Sequence, residues 1–283
     1  MQRRYWLLFA VLALALLDVV VLLFVLSGRP RVLTVAFLDV GQGDAILIES
    51  PAGRQMLVDG GRDRSVLREL GRELGPFDRS LDMIVATHPD ADHIGGLPAV
   101  FAQYDVAHYL SPGIESDTNP SRALLAATER ERSLAPGLAR RGMRILLGGD
   151  AYADILFPDR DVSEIETNTG SVIMRVVYGE TAFLLSGDAP ESVENYLVSL
   201  DEPGLESEVL KAGHHGSRTS TGEALLAAAN PALVVISAGK DNSYGHPHEE
   251  TLQRIGASGA AVASTMGEGA VVLVSDGKAI TER

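Results

Sequence analysis

Residues 88–93 read His-Pro-Asp-Ala-Asp-His and carry the clearest indication of fold and function in this chain. They follow directly on the apolar stretch 83–86, which predicts a strand. Side chains on a loop after a strand can converge on one point, and neutral imidazole and carboxylate are ligands of divalent metals. A polar turn is the alternative, since Pro, Asp and His are common in turns. We interpret the stretch as part of a metal site.

The grouping of the other histidines favours the same interpretation. Only His108 stands alone among the seven histidines, and we expect it to be a packing or surface residue. The remaining six form three tight pairs: His88 and His93, His214 and His215, His246 and His248. Two carboxylates, Asp59 and Asp188, follow further strand-like stretches, although either could instead make a turn or cap a helix.

Composition excludes some kinds of chemistry. The chain has no cysteine, so thiolate ligands and cysteine nucleophiles are impossible. Residues 1–31 hold four arginines and one aspartate of the 24 basic and 38 acidic residues in the chain. Residues 32–283 therefore carry 20 basic and 37 acidic side chains, a net charge of −17. Such a body repels nucleic acid at long range, since binding normally depends on neutralising phosphates. Any phosphate chemistry therefore needs positive charge at the site itself.

The N-terminal sequence predicts a membrane anchor. Residues 7–26 are apolar except for Asp18, and about 20 apolar residues span a bilayer core. We expect residues 1–31 to be an uncleaved signal anchor with a short linker, and residues 32–283 to be the catalytic domain. A cleaved signal peptide is the alternative. The free amino terminus favours an N-inside orientation, with the catalytic domain outside the cytoplasm at the cell membrane.

Strand-like and helical stretches alternate through the rest of the chain. Strands are predicted in both halves, among them residues 55–58, 83–86, 181–185 and 233–237, and residues 121–141 are predicted to be an interrupted helix. This order favours two sheets packed face to face with helices outside, although other layered α/β folds remain open.

Six motifs, in this order, resemble the metallo-β-lactamase superfamily, and most closely the hydrolase domain of ComEC-type competence proteins. The motifs are residues 38–45 (LDVGQGDA), 58–61 (VDGG), 87–96, 186–188 (SGD), 214–217 (HHGS) and 244–248 (YGHPH). The resemblance implies a four-layer αβ/βα sandwich with a dinuclear metal site at one edge of the two sheets.

The resemblance also implies roles for individual residues. His88 and Asp90 would hold the first metal, Asp92 and His93 the second, and Asp188 would bridge both. One of His214 and His215 would complete the second site, and the sequence leaves open which. A further set is expected to support the site or shape its loops: Asp39, Gln42, Asp44, Asp59, Asn168 and Ser171.

Two departures from the common superfamily pattern bear on the metal. Asp90 stands where a histidine is usual, and no histidine lies between His108 and His214, where residues 168–171 read Asn-Thr-Gly-Ser. The first site would therefore be rich in oxygen, which favours manganese, or magnesium, over zinc. ComEC-like proteins share both departures. We expect two divalent ions, manganese or zinc, with magnesium as a further alternative.

The ligand chemistry predicts a metal-dependent phosphodiesterase that acts through a metal-bound hydroxide. The resemblance to ComEC-type proteins implies that its substrate is DNA, with single-stranded DNA as the expected partner. Asp92 and Asp188 would orient the water, and His246 and His248 would contact a phosphate oxygen or protonate the leaving group. Phosphate contacts are expected from Lys211, Ser217, Arg218 and Ser220. The alternatives are a hydrolase of lactones, β-lactams or small phosphoesters, and a non-catalytic binding module.

Overall fold

The computed structural model describes residues 2–26, 32–75, 77–131, 134 and 136–283. The chain divides into two compact units, Met1–Arg31 and Val32–Arg283. In the first unit, Gln2–Leu26 forms helix α1. Over the described part of the chain, none of the helices is both long enough and apolar enough to cross a membrane. The expected transmembrane anchor is therefore not supported, and its linker, residues 27–31, lies outside the described residues.

The second unit alternates strands and helices along the chain. Its helices are α2 (Ser65–Glu73), α3 (Ala91–Ile94), α4 (Leu97–Phe101), α5 (Asn119–Thr128), α6 (Glu191–Asp201), α7 (Glu223–Ala229), α8 (Glu249–Ser258) and α9 (Thr265–Glu268), with short 3-10 helices at Glu202–Leu205 and Gly213–Gly216. Its strands are β1 (Leu33–Phe37), β2 (Ile46–Glu49), β3 (Gln55–Val58), β4 (Ser80–Val85), β5 (Asp105–Ser111), β6 (Pro136–Leu138), β7 (Arg144–Gly148), β8 (Ala151–Phe157), β9 (Ile173–Tyr178), β10 (Thr181–Leu185), β11 (Val209–Lys211), β12 (Leu233–Ile236), β13 (Ala261–Ser264), β14 (Val271–Ser275) and β15 (Ile280–Glu282).

The strands form two sheets. One has the order β15-β14-β1-β2-β3-β4-β5-β6, and the other has the order β13-β12-β11-β10-β9-β8-β7. Strand β1 shows why the sheets pack face to face. Its residues Val35 and Phe37 lie in a buried cluster with Phe183 of the other sheet. The intervening Ala36 points to the opposite face, because side chains alternate along a strand.

Helices cover the outer faces of both sheets. Ala36 packs in a cluster with apolar residues of α2, α4 and α5. On the other sheet, Leu184 and Leu210 pack with apolar residues of α6, α7 and α8. The result is a four-layer arrangement of helix, sheet, sheet and helix, as expected from the sequence.

One predicted element is wrong. Residues 121–141 were expected to be helical, but α5 ends at Thr128, and Pro136–Leu138 forms strand β6, which pairs with β5. Pro136 lacks a backbone N–H and is tolerated in β6 because this strand lies at the edge of its sheet. Residues 132, 133 and 135 of the predicted helix lie outside the described residues.

The parallel part of each sheet positions the candidate site. β3 and β4 are parallel in one sheet, and β10, β11 and β12 are parallel in the other. Parallel neighbours end at the same edge of a sheet, so the loops after them lie side by side. These five loops carry Asp59, residues 87–93, Asp188, the pair His214 and His215, and Ser237.

Candidate metal centre

A single carboxylate oxygen stands at the centre of the site. Oδ2 of Asp188 lies 3.3 Å from Nε2 of His93 and 3.4 Å from Nε2 of His215. The same oxygen is 3.7 Å from Nε2 of His214 and 4.0 Å from Nε2 of His88. The fold therefore brings together four of the predicted ligands around the carboxylate that was expected to bridge two metals.

Buried acceptors fix the orientation of the His93 and His215 rings. Nδ1 of His93 donates to Oδ2 of Asp59 at 2.7 Å, and Nδ1 of His215 donates to the carbonyl oxygen of Ser237 at 2.9 Å. Each ring thus directs Nε2 toward Asp188. Such outer partners orient histidines that bind metals. The role of Ser237 was missed, because a backbone carbonyl leaves no mark in the sequence.

Thr87, which sequence reasoning also missed, ties His88 to the same network. Its backbone N–H and its hydroxyl both donate to the carboxylate of Asp59, at 2.7 and 2.6 Å. The Thr87 oxygen can then accept from Nδ1 of His88 at 3.0 Å. Nε2 of His88 is buried without a hydrogen-bond partner in the described part of the chain. Asp59 therefore contacts both Thr87 and His93 from behind the ligand stretch.

The distances between these atoms fit a divalent ion. A tetrahedral ion with bonds of about 2.0–2.1 Å separates its ligand atoms by roughly 3.4 Å. Nε2 of His93 and Nε2 of His215 are 3.3 Å apart, and Oδ2 of Asp92 is 3.6 Å from Nε2 of His215. Two nitrogen lone pairs at this separation repel each other unless a proton or a metal cation lies between them.

Asp44 also lies in the group, but on the opposite side of the two rings. Its carboxylate is 3.7 Å from Nδ1 of His93 and 3.5 Å from Nδ1 of His215. Asp44, His93, Asp188 and His215 have ligand atoms within 4.8 Å of one another. We nevertheless assign Asp44 to a supporting role, because the Nδ1 atoms are already occupied and Nζ of Lys211 lies 2.5 Å from its Oδ2.

Lys211 is buried, which argues against its expected contact with substrate. Its ammonium group donates to the carbonyl oxygen of Gly187 at 2.9 Å and pairs with Asp44. Burial disfavours the charged lysine, but Asp44 and Asp188 outweigh that effect and raise its pKa. Two other expected phosphate contacts, Ser217 and Ser220, are also buried.

Replacing Lys211 with methionine should destabilise the protein by about 3–5 kcal/mol, because the buried carboxylates of Asp44 and Asp188 lose the cation that lies beside both. Equilibrium denaturation measures this change. Lys240→Met, which removes an exposed lysine, is the control and should lie within about 0.5 kcal/mol of the wild type. A loss below about 1 kcal/mol in Lys211→Met would contradict the assigned pairing.

The electrostatics of the site favour a cation. Burial opposes the charged forms of His93 and His215, but Asp188 and the carboxylates behind the rings outweigh it and raise both pKa values well above the ordinary range. Burial likewise acts to raise the pKa of Asp92, but His215 and His93 lower it to about 2. The field that favours an imidazolium here would equally favour a divalent ion.

The first predicted metal position is more open and richer in oxygen. Oδ2 of Asp90 lies 3.7 Å from Nε2 of His88, and burial raises the pKa of Asp90. Burial lowers the pKa of His88 well below its usual value and also lowers that of His214. A neutral imidazole is the form that binds metal.

Residues 168–171 and the loop 39–44 flank the site. Oδ1 of Asn168 and Oγ of Ser171 are buried and lack hydrogen-bond partners in the described part of the chain. In the other loop, Asp39 accepts from Gly41 N–H at 3.3 Å, and Gln42 accepts from Gly239 N–H at 3.2 Å. A Cβ at Gly43 would lie 2.0 Å from the carbonyl oxygen of Asp92, so only glycine allows this approach.

His246 and His248 lie beside the four central histidines. The His246 ring is 5.4 Å from that of His214 and 4.9 Å from that of His248. Burial, together with the neighbouring imidazoles, lowers the pKa of His246 to about 4. Nδ1 of His248 accepts from the backbone N–H of Arg218 at 3.1 Å. Arg218 is the exposed cation among the expected phosphate contacts.

Glu194, on α6, is a supporting residue that sequence reasoning missed. Its carboxylate accepts from the backbone N–H groups of Thr221 and Gly222 at 2.7 and 2.8 Å. The Thr221 hydroxyl accepts from Gly213 N–H at 2.9 Å, directly before the two histidines. Its position could have been noticed, because Glu194 lies on the same side of α6 as the apolar residues Val193 and Leu197, and this side is buried.

Glu194 should make stability depend on pH. Burial raises its pKa from 4.5 to about 7, while its backbone hydrogen bonds and the facing Arg254 oppose the rise. The folded state therefore holds a proton that the unfolded chain releases between about pH 4.5 and 7, and stability falls across this window by on the order of 3 kcal/mol. Denaturation at pH 5 and pH 8 should show a smaller decrease for Glu194→Gln than for the wild type. Equal decreases would refute this account.

The fold and this cluster together define the class of protein. Residues 38–240 match the Metallo-beta-lactamase superfamily, and the chain belongs to that superfamily. It is 32% identical over 254 residues to ComE operon protein 3 of Bacillus subtilis (strain 168), which covers 83% of this chain and 32% of that protein. It is 31% identical over 234 residues to Competence protein ComA of Neisseria gonorrhoeae, in a match that covers 82% of this chain and 31% of that protein.

These matches confirm the resemblance to ComEC-type competence proteins that the motifs predict. The chain spans about a third of the length of the curated relatives it matches. Among solved structures, the metallo-beta-lactamase fold protein YhfI from Bacillus subtilis has a TM-score of 0.53 at 12% identity. That match covers 84% of this chain and 98% of YhfI, and it establishes the fold alone.

Proposed function

We propose that this chain is a metal-dependent phosphodiesterase that cleaves DNA, with single-stranded DNA as its preferred substrate. One observation carries the proposal: Oδ2 of Asp188 faces the Nε2 atoms of four histidines at 3.3–4.0 Å. The donor set fits two divalent ions that share Asp188. When bound, such ions would lower the pKa of a water molecule and neutralise the charge of a phosphodiester.

The protein side chains would orient the reactants. Carboxylate oxygens of Asp92 and Asp188 both lie within 3.6 Å of Nε2 of His215, so a water molecule there could donate its hydrogen bonds to carboxylates and direct a lone pair at phosphorus. Nδ1 of His248 accepts from the backbone N–H of Arg218, and Nε2 of His248 lies 3.1 Å from Nη2 of the Arg218 side chain. We propose that Arg218, positioned by His248, donates to the non-bridging phosphate oxygens and that His246 approaches the leaving oxygen.

The ligand atoms also bear on the choice of metal. The position around His88 offers one nitrogen together with the oxygens of Asp90 and Asp188, whereas the position around His93 offers two nitrogens with Asp92 and Asp188. Oxygen-rich positions favour harder ions. We therefore propose manganese as the activating ion at the first position, with zinc or manganese at the second.

One further observation supports DNA as the substrate. A curated relative is named as a competence protein, which suggests a role connected with DNA. The net charge of −17 on the body opposes DNA binding at long range, so a bound phosphate needs a local source of positive charge, which a dinuclear centre would provide. The lactone, β-lactam and small phosphoester alternatives share the same metals, so substrate turnover must separate them.

Turnover of labelled single-stranded and double-stranded DNA tests the proposal. The full chain would be stripped of metal and resupplied separately with manganese, magnesium or zinc, with Asp188→Ala as the inactive control. We expect manganese-dependent cleavage of single-stranded DNA that is lost in the variant. Bound metal without DNA cleavage would reject the nuclease and favour a small-molecule hydrolase. A protein that binds no metal would favour a binding module.

The cellular location is a separate part of the proposal. The apolar sequence of residues 7–26 is the observation that favours attachment to the cell membrane, with the catalytic domain outside the cytoplasm. Fractionation of the full chain, beside a chain that begins at Val32, tests it. Recovery of both chains in the same soluble fraction would reject the anchor.

A further inference from the structure

A pocket of about 450 Å³ opens beside the candidate metal centre. It lies between helix α5, strand β5 and the loop that follows β5, and His88 and Pro89 form part of its wall. Pockets of this size bind small molecules or single groups of larger ligands. No predicted site residue other than His88 lines it.

His88 connects the pocket to the reaction centre. Its Nε2 is 4.0 Å from Oδ2 of Asp188 and 3.7 Å from Oδ2 of Asp90. Helix α5 is held against the ligand stretch, because the Ser121 hydroxyl donates to the Pro89 carbonyl oxygen at 3.4 Å. A group bound in the pocket could therefore belong to the same molecule as a phosphate bound beside Asp188, a few covalent bonds away.

The wall chemistry disfavours an anion. Ile94, Leu124 and Leu125 provide an apolar surface, and hydroxyl groups such as that of Ser111 interrupt it. Among the described residues that line the pocket, none is lysine or arginine, and Glu115 is acidic. A phosphate would find no counter-ion there, whereas a planar heterocycle with a polar edge would find both apolar contact and hydrogen-bonding partners.

We infer that this pocket binds the nucleobase of a nucleotide next to the cleaved phosphate. The inference rests on the proposed phosphodiesterase function and extends it to the substrate. A base in a duplex is stacked and paired and cannot enter a pocket without being flipped out. The pocket would therefore make the enzyme prefer single-stranded nucleic acid.

The test partly fills the pocket by enlarging a side chain at its rim. Leu125, on α5, is 58% exposed, so Leu125→Trp can enlarge the side chain without disturbing the core. Leu146→Trp is the matched control, because Leu146 is 74% exposed on β7 and does not line the pocket. Binding of a labelled single-stranded oligonucleotide is measured for each full-length protein, with and without its bases replaced by abasic residues. The same proteins are assayed with methyl 4-nitrophenyl phosphate, a diester that has no base.

The expected result is a loss of oligonucleotide affinity of at least tenfold in Leu125→Trp, with no change in Leu146→Trp and none toward the abasic oligonucleotide. Equal binding by the two variants, or equal binding of the base-containing and abasic strands by the wild type, would overturn the inference. Hydrolysis of methyl 4-nitrophenyl phosphate reports on the proposed function alone. If the protein hydrolyses this diester but binds the base-containing and abasic strands equally, the phosphodiesterase proposal stands and the base pocket is rejected.

Discussion

Asp188→Asn should lower kcat for phosphodiester cleavage by at least about a thousandfold, which corresponds to about 4 kcal/mol of lost transition-state stabilisation. The substitution keeps the shape of the side chain but removes the negative charge from the oxygen that four imidazole nitrogens face. Initial rates at saturating metal and substrate measure the effect.

The control for Asp188→Asn is Asp105→Asn, which removes an exposed carboxylate at the start of β5 and should leave kcat unchanged. Thermal unfolding of both variants establishes that they are folded under the assay conditions. A kcat for Asp188→Asn within tenfold of the wild type, in a folded protein, would show that the Asp188 carboxylate is not essential to the metal-dependent reaction.

His215→Ala should weaken binding of the tighter metal ion by more than about a hundredfold, whereas His214→Ala should weaken it by about tenfold or less. The difference follows from how each ring is held. The His215 ring is buried, fixed at Nδ1 by Ser237 and 3.4 Å from Asp188 through Nε2. His214 is partly exposed, and its Nε2 lies farther away, at 3.7 Å. Outer partners alone change metal affinity about 10- to 100-fold, so removal of an anchored ligand should cost more.

Competition with a chelator of known affinity measures both variants under the same conditions. This experiment answers a question that the sequence leaves open, since His214 and His215 are adjacent and identical in type. Both residues have positive φ, 46° and 56°, so the tight backbone turns the two rings in different directions. A larger loss of affinity in His214→Ala than in His215→Ala would reverse the assignment.

The sequence predicts the layers of the fold and the grouping of the candidate ligands because both depend on residue type and order. A short apolar stretch such as residues 32–38 indicates a strand buried in a core. Histidine and aspartate clustered after strands, as at residues 88–93, indicate a site at a sheet edge. Neither inference requires knowledge of how side chains are oriented.

Roles that depend on side-chain direction were not predictable. Lys211 ends a strand beside the site, and only the fold shows that its ammonium group faces Asp44 inside the protein. The carbonyl of Ser237 and the buried carboxylate of Glu194 act through backbone groups, which carry no sequence pattern. Pro136–Leu138 forms a strand that its Pro-Gly sequence does not indicate, because pairing with β5 outweighs local propensity.

The most direct test of the central claim is the number of metal ions held by the purified full chain. Elemental analysis after equilibration with manganese or zinc and removal of unbound ions gives this number. The arrangement of His88, Asp90, Asp92, His93, His215 and Asp188 predicts close to two ions per chain, falling to one or fewer in Asp188→Asn. Fewer than one ion per wild-type chain with both metals would contradict a dinuclear centre.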